Sequence, residues 1–424
     1  MRPRRPLLPL PRATVRHSGG PCLWHLASIW GGQVYHASAA QLSALSGSTA
    51  TGPSSSKDAA SRQARGGARP GRGKVDDVPE VVRAARAGGL TVAGPAKPED
   101  RYATVNGVRL HYLDWGNERL SGLLFLHGFA QQAHSWDFAA LALRHRFHAV
   151  SLDLRGHGDS GWSPDGHYNL ERHAADVAAF IPAAGLQQPV ICGLSMGGRI
   201  AYTYAAGHPD GMRALIVAES APETQEAGRR AVTDFTSAVA EFDAFEDIVA
   251  RVLAYNPHRT PEMVRGSLRH SVRQRPDGKW TWKYDPAIRP ARAAALSSPF
   301  KGEEPALSLP KGQGAGETRR PAARSDSPEA QWEALSKVRC PKLFVIGADS
   351  QMIAPDKVQR MLQAVPGSTA ETVERAGHLV AGDNPVGFDA AVRRFLDRLP
   401  GKARAGPLGS ARGDGPPPAR TGRS

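Results

Sequence analysis

Three short segments of this 424-residue chain carry residue types that could act together. The first is Gly193-Leu194-Ser195-Met196-Gly197-Gly198, between the apolar run Val190–Cys192 and a helical stretch, Arg199–Gly207. A serine on a sharp strand-to-helix turn is lifted clear of the sheet edge. The next N–H then opens a helix, where N–H groups lack acceptors. Glycines are needed because such a turn crowds its neighbours. The second segment is His127-Gly128-Phe129, where the chain leaves the apolar strand Leu123–Leu126 and can turn an N–H toward the serine. The N–H groups of Phe129 and Met196 would then form an oxyanion hole, and His127 is read as structural. The third is Ala376-Gly377-His378-Leu379, just after the last strand. A base on a glycine-hinged loop there can reach across the sheet edge. Ser195 as nucleophile, His378 as general base and two N–H donors amount to acyl transfer through a covalent intermediate.

These residues need a scaffold, and the hydrophobic pattern supplies one. Tyr102–Val105 and Val108–Tyr112 read as two strands joined at Asn106-Gly107, a pair suited to the positive φ angles of a tight turn. Short apolar strands follow at Leu123–Leu126, Phe147–Leu152, Val190–Cys192, Leu215–Ala218, Leu343–Ile346 and Glu371–Val373, with helical stretches between them. The last helix, Val386–Leu399, aligns Phe388, Val392, Phe395, Leu396 and Leu399 on one face. Apolar strands alternating with helices predict an α/β fold, a mostly parallel sheet with helices on both faces. The stretch from about 220 to 340 is far longer than an ordinary connection. It is read as a helical cap over the site, with a Pro/Gly/Ala/Ser-rich insert at 291–328.

With these segments in order, Leu-His-Gly-Phe at 126–129, Asp153-Leu-Arg-Gly-His-Gly-Asp-Ser160, Gly-Leu-Ser-Met-Gly-Gly at 193–198 and Gly-His at 377–378, the chain resembles the α/β-hydrolase superfamily. Its small capped esterase-like members are the nearest in pattern. The resemblance covers roughly residues 101–290 and 330–400. It implies the α/β-hydrolase fold and a nucleophile-elbow serine, and is specific for fold more than for substrate. In the Asp153–Ser160 segment the glycines are expected to shape a turn without a catalytic role.

The resemblance also implies an acid behind His378, and here the chain departs from pattern. Many relatives carry Asp three residues after the glycine that ends the seventh strand. Counted from Gly347, that position is Ser350, with Asp349 one residue early. Some relatives place the acid after strand six instead, and here that stretch is Glu219-Ser220-Ala221-Pro222. Glu219 is therefore the expected acid and Asp349 the alternative, while Asp356 is expected to start a helix. Cys192 is read as a buried small hydrophobe and Arg199 as solvent-facing. Trp280-Thr281-Trp282-Lys283-Tyr284 either lines an acyl pocket or packs the cap. Residues 251–290 hold nine Lys/Arg and three Asp/Glu, which hints at an anionic substrate group.

Composition bounds the remaining function classes. The net charge is +14, but residues 1–98 carry +10 of it, residues 401–424 +4 and residues 291–328 +2. The other 264 residues are near neutral, enough for one large domain, and a basic face for nucleic acid is not expected. The expected organisation is a disordered basic extension at 1–98, one domain at 99–400 and a disordered tail at 401–424. Three cysteines, Cys22, Cys192 and Cys340, argue against a disulfide framework. No apolar run is long enough for a membrane span. Residues 1–57 lack Asp and Glu and resemble an organelle transit peptide. A cytoplasmic protein with a plain basic extension is the other reading, and it is the expected location. No H-E-x-x-H, cysteine-pair or P-loop lysine pattern occurs, so no metal and no cofactor is expected. The expected function is a serine hydrolase acting on a small-molecule ester or related acyl bond. A C–C bond hydrolase, thioesterase or perhydrolase could use the same residues, and a non-catalytic ligand-binding protein is the rival of another class. Oligomeric state is not legible.

Overall fold

The hairpin at Asn106-Gly107 forms as its residues dictate. In the computed structural model, β1 (Glu99–Val105) and β2 (Val108–Asp114) pair antiparallel, and Asn106 and Gly107 take φ of 47° and 75°. Residues 79–92, 94, 96–237, 241–288 and 326–400 are described. All of them fall in the second of the chain's two units, Gly73–Ser424. Expectations for residues 1–78, 291–325 and 401–424 lie outside the described residues.

The central sheet adds β3 (Gly122–Leu126), β4 (His148–Leu152), β5 (Val190–Leu194), β6 (Ala214–Ala218), β10 (Lys342–Gly347) and β11 (Thr369–Val373). Its order is β1-β2-β4-β3-β5-β6-β10-β11, with β2 antiparallel to both neighbours and every other pairing parallel. Each central strand is buried along its whole length, so alternate side chains fill two separate cores. Leu123, Phe125 and Val345 join one core with α2 (Asp137–Leu143) and α11 (Pro385–Leu396). Leu124, Leu126 and Phe344 join the other with α3 (Leu170–Ala183), α4 (Met196–Gly207), α8 (Pro328–Ser336) and α9 (Pro355–Ala364). Asp356 lies in the first turn of α9, as expected.

Between β6 and β10 lie α5 (Glu226–Ser237), α6 (Phe245–Tyr255) and α7 (Pro261–Leu268). This cap is not only helical. β7 (Glu241–Phe242), β8 (Val272–Gln274) and β9 (Trp280–Trp282) form a small antiparallel sheet in the order β7-β9-β8. Trp-Thr-Trp alternates with the period of a strand, so the aromatic segment is β9. Ile248, Val249, Val264, Leu268 and Trp282 form the cap's own core.

Two boundaries differ from expectation. Order begins before residue 99, because Glu80–Ala87 is a helix, α1, with Val82 and Ala85 fully buried. Val82, Ala85 and Leu90 join the core of the α2 and α11 face, and Glu80 pairs with Arg269 of the cap. Eight residues amid Arg and Gly are too short for periodicity to stand out. At the insert's other end, Ser327 caps α8, its side chain accepting a bond from Ala330 N, and Pro328 starts the helix.

A chain beginning at residue 99 should therefore melt lower than one beginning at residue 79. Removing buried Val82 and Leu90 forfeits about 1.5–3 kcal/mol each, before the ordering entropy of the segment is credited back. Each net kcal/mol lowers the Tm of a domain this size by about 2–4 °C. Equal melting temperatures for the two chains would show that α1 adds nothing to the core.

Candidate active site

Ser195 stands at a strained turn that its neighbours enforce. Its φ of 51° and ψ of −113° lie where a non-glycine residue costs about 1–3 kcal/mol. Ser195 N still bonds to Ala218 O at 2.9 Å, extending the β5–β6 ladder, while Ser195 O accepts the first bonds of α4 from Gly198 N and Arg199 N. The glycines are steric necessities. A Cβ on Gly193 would overlap Gly197 O, one on Gly197 would overlap Leu126 O of β3, and one on Gly198 would come within 2.8 Å of Ser220 Cβ.

The loop after β3 is held from both sides. Buried His127 accepts from Leu154 N at 3.0 Å through Nε2 and so donates from Nδ1 to Gly128 O at 2.8 Å. Gly128 N donates to Gln131 Oε1 at 2.9 Å, which sets the approach to Phe129. Met196 opens α4, where no intrahelical acceptor exists for its N–H. Among the described residues, Phe129 N takes part in no backbone bond of its turn.

Below this loop Asp153 accepts from Ala133 N at 2.6 Å, His111 Nδ1 at 2.7 Å and Asp159 N at 2.8 Å. Burial works to raise the Asp153 pKa, but the bond from His111 and the nearby imidazoles hold it below the ordinary carboxylate value. Gly158, at φ 55°, lies so close that a Cβ would overlap the Asp153 carboxylate. The glycines of this segment shape a turn around a carboxylate. His111, Asp153 and Asp159 have ligand atoms within 4.8 Å of one another. The short His111–Asp153 bond leaves no gap for an ion between them, and Lys283 already pairs with Asp159 at 2.8 Å.

Glu219 and His378 come together. Glu219 leaves β6 with φ 51° and is fully buried. Its Oε1 accepts from Gly347 N at 2.7 Å, its Oε2 accepts from Ser350 Oγ at 2.5 Å, and His378 Nδ1 lies 3.3 Å from Oε2. A carboxylate only accepts, so Nδ1 carries the proton and Nε2 keeps a lone pair. Asp349 is elsewhere: its side chain is 55% exposed and meets His258 Nε2 of the cap at 3.3 Å. The residue at the common acid position, Ser350, donates to the carboxylate instead.

Ser195, His378, Gly128 and Phe129 line one cavity of about 110 Å³, whose cap side mixes Val232, Phe235, Val252, Leu268 and Trp282 with polar groups such as Thr236, Asn256 and Ser271. Trp282 reaches the cavity, whereas Trp280 packs on Phe245 and Tyr284 on Trp282. Cys192 is buried in the core. Arg199 is half-buried rather than solvent-facing. The basic surplus of the cap does not converge on an anion. Arg265, Arg269, Arg275, Lys279 and Lys283 pair with acids, Arg251 bonds to carbonyls of α5, and Arg273 lies over Trp162. Arg259 alone among these lines the cavity, and it is paired with Asp383. Sequence reasoning missed Gln131, Arg259 and Asp383, which no motif marks.

Comparison with known proteins agrees with this fold. Residues 123–385 match the family model described as alpha/beta hydrolase fold. The chain is 26% identical over 312 residues to the esterase Rv0045c of Mycobacterium tuberculosis, covering 72% of this chain and 92% of that one. It is 28% identical over 295 residues to N-formylmaleamate deformylase of Pseudomonas putida, covering 69% and 95%. The crystal structure of the Mycobacterium tuberculosis esterase superposes with a TM-score of 0.56 at 24% identity, covering 76% of this chain and all of that one.

The crowding at the turn predicts a contrast between two glycines. Gly193→Ala should destabilise the fold by about 1–3 kcal/mol, the usual cost of overpacking. Gly207→Ala, at the open end of α4 with nothing within 4 Å of its Cβ position, should be neutral or stabilising. Equal denaturation midpoints for the two variants would show that the turn can relax around a methyl group.

Proposed function

This chain belongs to the α/β-hydrolase fold family, and we propose that it is a serine hydrolase cleaving a carboxylic ester or related acyl bond of a small molecule. The observation that carries the reading is the contact between fully buried Glu219 and the imidazole of His378, which lines the same cavity as strained Ser195. In this mechanism His378 Nε2 takes the proton of Ser195 Oγ as the oxygen attacks the substrate carbonyl. The oxyanion is held by Phe129 N and Met196 N, each such donor being worth about 3 kcal/mol in the transition state. His378 returns the proton to the leaving group, which departs and leaves an acyl-enzyme. Water then attacks in the same manner, its proton passing through His378, and Ser195 is restored. Glu219 orients the imidazole and stabilises its charged form. The cap side of the cavity favours an uncharged acyl group over an anionic one, since its one basic lining residue among those described, Arg259, is already paired with Asp383.

Ser195→Ala should lose ester hydrolysis by about 10⁴–10⁶-fold, and it should lose covalent labelling by a fluorophosphonate probe while keeping its melting temperature. Wild-type turnover of p-nitrophenyl esters by the folded variant would overturn the mechanism.

The two carboxylates should separate sharply. Glu219→Gln removes the charge behind His378 and should lower kcat/KM by about 10²-fold or more, whereas Asp349→Asn, whose carboxylate faces His258, should cost little. Both changes are nearly isosteric. The comparison is kcat/KM on one ester under identical conditions, and the reverse order would give the role to Asp349.

A further inference from the structure

The loop that carries His378 is held by a residue of the cap. Arg259 lies in the turn between α6 and α7, with its side chain only 13% exposed. Its Nε donates to Asp383 Oδ1 at 2.9 Å, and its Nη2 donates to Leu379 O at 3.4 Å. Asp383 ends α10 (Val380–Asp383), is buried, and accepts from Gly377 N at 3.1 Å through its other oxygen. The Arg259–Asp383 pair therefore binds the N–H of the residue before His378 and the carbonyl of the residue after it. Gly382 makes this approach feasible, because a Cβ there would overlap the Arg259 guanidinium. From below, Gly347 packs so closely that a Cβ would overlap Ala376 O. Glu219 then holds the ring itself.

We propose that Arg259 is a positioning residue: seated with the cap, it fixes the backbone on both sides of His378 through Asp383 and so couples cap placement to the aim of the imidazole. The proposal rests on the serine-hydrolase reading for its catalytic consequence but not for its structural one. A planar guanidinium can bond Asp383 and Leu379 O at once, which the single ammonium of lysine does poorly. The pair also cancels charge. Without Arg259, Asp383 would remain as an uncompensated buried carboxylate. Other ionisable groups nearby are the His258–Asp349 pair and Tyr255, whose phenol burial and the Asp383 charge push up to about 12.

The test uses the full chain and Arg259→Lys, Arg259→Gln and Asp383→Asn. The readouts are amide hydrogen exchange at Gly377–Leu379, and kcat and KM on a short p-nitrophenyl ester. Arg259→Lys should exchange faster at these amides and lose about 10–100-fold in kcat, with KM little changed. Arg259→Gln and Asp383→Asn should exchange at least as fast and lose at least as much in kcat. Wild-type exchange and kcat in Arg259→Lys would overturn the proposal, as would a loss confined to KM. If the wild-type chain hydrolyses no ester and takes no fluorophosphonate label, the hydrolase reading fails, while exchange still decides whether Arg259 holds the loop.

Discussion

A single buried carboxylate ties the site together. Glu219 has no exposed surface, and taking such a charge out of water costs several kcal/mol unless donors replace the solvent. Here the donors are Gly347 N, Ser350 Oγ and the His378 ring, which belong to the end of β10, the loop after it, and the loop after β11. One side chain thus joins three separate segments, and each is held at the sheet edge by the same need. Bonds to a charged acceptor are worth about 1.5–3 kcal/mol each, roughly twice neutral ones. The carboxylate is both the proposed partner of the base and the brace of the edge on which the base stands.

The serine is fixed by a different constraint, close packing of backbone. Gly193, Gly197 and Gly198 leave no space for a Cβ because β3, α4 and the exit of β6 converge there. Ser195 is forced to a positive φ by this convergence, and it keeps its ladder bond to Ala218 O. The strain is local and is held by the all-apolar strands on either side. Glu219 shares the positive φ, at the end of the neighbouring strand. Two non-glycine residues in the left-handed region, side by side on adjacent strands, mark the place where the sheet gives its length to the site.

Much of this was legible in the sequence because it is local or periodic. The sheet strands showed as apolar runs, the hairpin as Asn-Gly, and the turn at Ser195 as glycines at fixed spacing. Glu219 was readable only as a position after strand six, and Ser350 only as a missing acid; that the two bond to each other required the fold. The short α1 and the three cap strands fell below the length at which a pattern rises above composition. Arg259 was hidden among nine basic residues between 251 and 290, since charge counts cannot say which side chain turns inward. Pairing partners such as Glu80 and Asp383 are remote in sequence from the cap residues they meet.

The change of acid has a consequence for the cap. When the loop after β10 supplies the acid, its carboxylate must point inward to the histidine. Under the assignment proposed here Glu219 takes that place, and an Asp at position 350 would set two like charges against each other within hydrogen-bond range. A serine resolves the conflict by donating. The carboxylate that remains in the loop, Asp349, is then released to face outward, where it meets His258. Its neighbour Arg259 meets Asp383. Two consecutive cap residues thus grip two different catalytic-edge loops, one through each carboxylate. An exposed pair such as His258–Asp349 adds little stability by itself, but the Arg259–Asp383 pair beside it is largely shielded from solvent and holds the loop from two sides. Under that assignment, an acid at the end of β6 leaves the β10 loop free to hold the cap, so the departure from the common pattern and the seating of the cap are parts of one arrangement.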